Sequence, residues 1–318
     1  MKTGALSATV LTVLAVLSPG QGSQKPGFLS PWLELPGARD RLGTWSELCA
    51  IDLVHLGTKA DQAEITDTAK TQPLLVAAAL LAAEHLPMDK VKLVAGHSVG
   101  ELAAAHLAGV LTADDAVKLA AVRGREMAAA CAITPTGMAA ILGGEPDEVI
   151  DAITAVGAYP ANRNGAGQVV AAGSTEALTK LGANMPDKAH IIPLSVAGAF
   201  HTPYMESAQH ELGRHAEGIT TSEPVRTWLS NADGEPMTTG QAALDRLVAQ
   251  VTAPVRWDAC MDTMARRDVT AVVELPPAGT LTGLVKRQIK GVKAVKLNTP
   301  EQLEAAIELI RVHSEEQE

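Results

Sequence analysis

The stretch Val91-Lys92-Leu93-Val94-Ala95-Gly96-His97-Ser98-Val99-Gly100-Glu101 decides the fold class. Val91 to Ala95 reads as a short buried strand, and Glu101 to Gly109 as a helix. Between them, Gly-x-Ser-x-Gly at 96–100 is the pattern of a nucleophile elbow, in which strand, sharp turn and helix follow one another. The glycines let the backbone fold tightly. Ser98 is then expected in a strained turn at a helix N-terminus, with the N–H of Val99 aimed at a developing oxyanion. The competing reading is a plain strand-to-helix turn.

Outward from this turn, strands continue to alternate with helices, which predicts an α/β fold with a parallel sheet. Val10 to Leu17 is apolar and β-branched enough for a buried parallel strand, and a Gly/Pro-rich loop, Pro19 to Gly27, follows it. A helix is expected from Thr71-Gln72-Pro73 to Leu86, and Thr112 to Asp115 is a capping box for another, ending near Cys131. Strands at Thr270 to Leu275 and Val292 to Leu297 resume the pattern late in the chain. Between these halves lie Met138 to Leu142, Pro146 to Ala155, Ala158 to Asn162, Gln168 to Ala172, Thr175 to Leu181 and His190 to Ser195. They read β-α-β-β-α-β, the ferredoxin-like order, as a small module interrupting the larger domain.

Composition removes several function classes. The chain has 318 residues, 47% hydrophobic and 19% charged, enough to bury a large interior. Aromatic residues are 3% and the net charge is −10, which leaves little to stack bases and repels a phosphate backbone. No nucleic-acid partner is expected. Met1-Lys2 and the apolar Ala5 to Leu17 imitate a secretory signal, but no small-x-small cleavage site follows at Ser18 to Gln21. No segment has the uninterrupted apolar length of a membrane span, so no membrane partner is expected either. Cys49, Cys131 and Cys260 are scattered, without a CxxC pair, which fits a reducing cytoplasm and no metal site.

A nucleophilic serine needs a base, and nine histidines compete. His97 adjoins the serine, His106 lies on the elbow's helix, and His210 and His215 fall within a later helix. His201 differs, because it precedes Thr202-Pro203, an expected N-cap and first turn, and so sits where a side chain can point into a cleft. A structural histidine is the competing reading. Arg123 shares an apolar helical stripe with Leu119 and Met127, so its guanidinium must find a carboxylate there, the protein's or a substrate's.

The motifs Pro19-Gly20-Gln21-Gly22-Ser23-Gln24, Thr71-Gln72-Pro73, Gly96 to Gly100, Arg123-Gly124, Ala161-Asn162-Arg163-Asn164, Gly167-Gln168-Val169-Val170, Phe200-His201, Gln250 and Pro254-Val255-Arg256-Trp257 occur in one order. In that order the chain resembles the malonyl-CoA:acyl carrier protein transacylases, actinobacterial ones in particular, from about Val10 to Leu309. The resemblance implies a ping-pong acyl transfer in which Ser98 takes malonyl from malonyl-CoA, with His201 as base, and hands it to the phosphopantetheine thiol of an acyl carrier protein. It implies an oxyanion hole of the Gln21 and Val99 amides, a malonyl carboxylate on Arg123, and the Gln250 carbonyl orienting His201. Met127, from the Arg123 stripe, is placed with the substrate. Asn162 matches a family position at the small module's edge. Phe200 implies malonyl over methylmalonyl, since a ring above the α-carbon leaves no room for a methyl group, worth about 1–3 kcal/mol.

The expected architecture is an α/β-hydrolase-like domain of residues 10–133 and 201–318 with a ferredoxin-like subdomain at 134–200, the active site lying between them. The family's first strand starts nearer the initiator Met, so residues 1–9 read as an extension, as a disordered segment or as a mis-assigned start. Pro276-Pro277-Ala278-Gly279 departs from the family's usual turn. No cofactor is implied beyond CoA and phosphopantetheine as substrates. Lys286, Arg287, Lys290, Lys293 and Lys296 are interrupted by no acid, and Lys286 and Arg287 are expected to dock the acidic carrier protein; a solvated helix face is the plainer reading. The alternative function is a serine esterase or thioesterase of the α/β-hydrolase type, which would want a late histidine paired with an acid, and His313 is the only late one.

Overall fold

The computed structural model describes residues 13–315, so the extension at 1–9 lies outside the described residues. Ten strands form two five-stranded sheets: β1 (Val13–Ser18), β2 (Leu93–Gly96), β3 (Thr136–Leu142), β4 (Tyr159–Gly165), β5 (Gln168–Ser174), β6 (His190–Leu194), β7 (Thr227–Leu229), β8 (Val255–Arg256), β9 (Val269–Glu274) and β10 (Lys293–Lys296). The first sheet runs β10-β9-β1-β2-β7 and every pairing in it is parallel. Its central strands are almost continuously apolar and buried, as sheets covered on both faces require. The second sheet runs β6-β3-β5-β4-β8 and is antiparallel except where β8 joins β4.

The helices before the second sheet are α1 (Ala38–Cys49), α2 (Leu53–Thr58), α3 (Gln62–Thr66), α4 (Thr68–Ala83), α5 (Gly100–Leu107) and α6 (Ala113–Cys131). Helices α7 (Pro146–Ala155) and α8 (Thr175–Ala183) belong to the second sheet, and α9 (Glu206–Ala216), α10 (Gly240–Ala249), α11 (Trp257–Arg266), α12 (Thr280–Gln288) and α13 (Leu303–Glu315) follow it. Helix α4 is apolar all round and buried along nearly its whole length, the mark of a helix enclosed by others. It begins at Thr68, a turn earlier than Pro73 suggests. Asp67 accepts from the Ala69 N–H and fixes that end, and packing on every side tolerates the proline in the second turn. Thr112 caps α6 as its sequence predicts.

The middle segment follows the β-α-β-β-α-β reading element by element, with ends displaced by a few residues. Two strands have no counterpart in the sequence reading. Thr227–Leu229 and Val255–Arg256 are three and two residues long, too short for a period-two pattern to register. Both matter for the site. Strand β7 flanks β2 at the elbow, and β8 extends the second sheet from the far end of the chain. Among the described residues no helix is long and apolar enough to cross a membrane.

Candidate active site

Strand β2 ends at Gly96, paired with Ser18 of β1, and the chain reverses into α5 within the next few residues. The reversal is steric. A Cβ on Gly96 would fall 2.1 Å from the Gly100 carbonyl carbon, and one on Gly100 would fall 2.2 Å from the Ser18 carbonyl oxygen. Ser98 sits at the apex with φ of 53°, the left-handed strain an elbow carries at its nucleophile. Asn231, just past β7, braces the turn: its Oδ1 accepts from the Ser98 N–H at 2.8 Å and its Nδ2 donates to the Gly96 carbonyl at 2.8 Å.

His201 faces this apex from the other side of the cleft. Its own φ is 61°, and Thr202 caps the short helical turn that follows. Nε2 lies 2.7 Å from Ser98 Oγ and Nδ1 lies 2.8 Å from the Gln250 carbonyl oxygen. A carbonyl only accepts, so Nδ1 carries the hydrogen and the lone pair of Nε2 receives the serine proton. Burial, reinforced by the nearby Arg123 charge, lowers the His201 pKa to about 3, so the ring is neutral and ready to accept a proton. The acylation rate at limiting acyl donor should therefore show no inflection near the ordinary histidine value of about 6.5. Rapid-quench rates across that range check this, and a step there would mean a solvated imidazole.

Arg123 projects from α6 into the same cleft and is 3% exposed. The sequence reading leaves two carboxylates open, a protein acid or a substrate's. The structure rules against the protein acid: Nη1 donates to Gln72 Oε1 at 2.7 Å, and Nη2 to Gln250 Oε1 at 2.9 Å and to Ser98 Oγ at 3.3 Å. Two neutral amides and the nucleophile take the place of an ion pair, which leaves the guanidinium charge for an incoming anion. Burial lowers its pKa only to about 10, so it stays protonated near neutrality.

The other expected residues also gather here. Gln21, Val99, Met127, Asn162 and Phe200 line the cleft with Ser98, Arg123 and His201. The backbone N–H groups of Gln21 and Val99 meet no acceptor among the described residues. Gln250 stands behind His201 rather than in the cleft wall. Lys286 and Arg287 are exposed at the end of α12, whose start, Thr280 and Leu281, forms part of the cleft rim. His97 points across to the second sheet, with Nε2 2.9 Å from Asn164 Oδ1. Among the described residues there is no cluster that could hold a metal ion.

Sequence reasoning missed three residues. Gln72 stands in the sequence only as part of a motif, and Asn231 carries no sequence signal. Glu101 had one: an acid in an otherwise apolar, buried helix, here 1% exposed and with its pKa raised to about 8 by burial.

Residues 17–302 match the acyl transferase domain family. A malonyl CoA-acyl carrier protein transacylase of Mycobacterium tuberculosis strain H37Rv is 53% identical over 297 residues, covering 92% of this chain and 98% of the relative. The crystal structure of MCAT from Mycobacterium tuberculosis superposes with a TM-score of 0.90 at 52% identity, covering 93% of this chain and 99% of that one. A malonyl-transacylase solved in complex with a type II PKS acyl-carrier protein superposes at 0.87 with 30% identity, covering 94% of this chain and all of that one.

Proposed function

Since this chain belongs to the acyl transferase domain family, among the malonyl CoA-acyl carrier protein transacylases, we propose that it moves malonyl from CoA to a carrier protein through Ser98. The observation that carries this reading is the convergence of Ser98, His201 and Arg123 within hydrogen-bond reach. As Oγ attacks the thioester carbon, its proton passes to His201 Nε2, and the oxyanion is received by the Gln21 and Val99 amides. The C–S bond then breaks and the imidazolium returns the proton to the departing CoA sulfur. In the second half the phosphopantetheine thiol gives its proton to Nε2 and attacks the malonyl ester, and Oγ recovers the proton. CoA and phosphopantetheine take part as substrates, with no resident cofactor in the scheme.

Arg123 pairs with the malonyl carboxylate, Met127 and Phe200 shape the space around the acyl chain, and Asn162 borders it from β4. The ester-hydrolase alternative fares worse, because Nδ1 of His201 meets a carbonyl in place of an acid. His313 bonds instead to the Leu309 carbonyl of its own helix. The layout reads as a hydrolase-like domain, 10–133 with 201–318, carrying a ferredoxin-like insert at 134–200. The strand order β6-β3-β5-β4 supports the insert. A cytoplasmic setting fits three free cysteines.

Mixing the protein with malonyl-CoA and following intact mass tests the reading: a malonyl adduct should form and then vanish when holo carrier protein is added. Turnover to free malonate without an adduct passing to the carrier would favour the hydrolase. Lys286 and Arg287 are proposed to dock the carrier. Lys286→Glu with Arg287→Glu should raise the carrier KM roughly tenfold and leave Ser98 acylation by malonyl-CoA unchanged. Steady-state kinetics with varied carrier checks it, and equal effects on both half-reactions would remove the docking role.

A further inference from the structure

One buried titratable group in the centre of the molecule has no part in the scheme above. Glu101 occupies the first turn of α5, three residues after the nucleophile, and its two oxygens are both engaged. Oε2 accepts from Gln250 Nε2 at 2.6 Å and Oε1 accepts from the Asn231 N–H at 2.8 Å. Neither oxygen touches Arg123. The Gln250 carboxamide stands between the two, its Nε2 on the carboxylate and its Oε1 on Arg123 Nη2.

That amide has one permitted orientation. Nε2 faces three oxygens: Glu101 Oε2, the Ser98 carbonyl at 3.2 Å and Asn231 Oδ1 at 3.2 Å. Glu101 Oε2 is the nearest of them, at 2.6 Å. Turning the amide over would set an oxygen against Glu101 Oε2 and an NH2 against the guanidinium, two mismatched contacts among buried side chains. The orientation of Gln250 in turn fixes one arm of the Arg123 fork, while Gln72 holds the other.

We propose that Glu101 is the positioning residue of Arg123: through Gln250 it aims the guanidinium at the place where the substrate carboxylate must lie. The proposal rests on the transacylase reading of the site and deepens it. A direct Glu–Arg ion pair would occupy the fork that malonyl needs. A carboxyl group set back by one amide orients the cation and leaves its fork open.

A double-mutant cycle on the full chain tests this, with single-turnover acylation by malonyl-CoA and by acetyl-CoA as the readout. Glu101→Gln keeps the shape but offers one acceptor oxygen to two donors. In the Arg123 background it should lower the malonyl-to-acetyl rate ratio roughly tenfold. In the Arg123→Ala background it should leave that ratio within about twofold, since there is no longer a guanidinium to aim. Gln250→Met cuts the same link while keeping the backbone carbonyl on His201, and should reproduce the loss of ratio if Glu101→Gln proves too unstable to purify. Equal losses on both donors, or the same change of ratio in both backgrounds, would overturn the proposal and leave the transacylase reading intact. An Arg123→Ala enzyme with an unchanged ratio would overturn the proposal together with the carboxylate role of Arg123.

Discussion

Ser98→Ala is expected to abolish the covalent malonyl adduct and to cut transfer to the carrier by at least about 10⁴-fold. The magnitude follows from what that one oxygen does. Oγ donates to His201 Nε2 at 2.7 Å and accepts from Arg123 Nη2 at 3.3 Å, so its proton is directed at the base and its lone pair is held near a cation before substrate arrives. Alanine leaves the oxyanion amides and the carboxylate clamp in place, so substrate should still bind. Intact mass after malonyl-CoA and a binding isotherm together check the result: bound donor with no adduct is expected. A surviving adduct in Ser98→Ala would move the nucleophile elsewhere.

Arg123→Ala is the second large effect. Malonyl acylation should fall roughly 10²–10³-fold, the loss of a buried, fork-type contact to a carboxylate. Acetyl acylation should change by less than about tenfold. A second consequence of the same charge favours the acetyl reaction. The Arg123 cation depresses the basicity of His201, behind burial in size, and removing it relieves that field. On the proposed pairing, the malonyl carboxylate would supply the same relief in the native enzyme. Arg123→Lys, a point charge without the fork, should retain an intermediate malonyl rate. Parallel single-turnover measurements with both donors decide it, and a common factor for the two would show that Arg123 does not read the carboxylate.

How much of this was legible in the sequence depends on where the physical constraint lies. The elbow was legible because its constraint is local: two glycines exist where a Cβ has no room, and a chain of five residues displays both. His201 was legible through the helix start beside it. The partnership of Ser98 with His201 was carried by family resemblance, since 103 residues separate them and no periodicity links them. The protein partners of Arg123 are not legible because burial of a guanidinium predicts that it is satisfied but does not say by what; two glutamines, Gln72 and Gln250, do it from 51 and 127 residues away. Asn231 braces the nucleophile from a loop whose sequence shows nothing but a polar residue after a short apolar run. Strands of two or three residues fall below any pattern.

The short strand β8 has a mechanical consequence. Val255 and Arg256 pair with Asn162 and Arg163 of β4, and the Arg256 N–H also donates to the Asn231 carbonyl at 2.7 Å. One seam thus stitches the two lobes together within a few residues of Gln250, whose carbonyl holds the imidazole. Swinging the jaws apart would tear those rungs and unsettle the base in the same motion. The seam therefore opposes a wide parting of the two sheets, and CoA and the carrier's arm would enter one after the other past the same stitched edge.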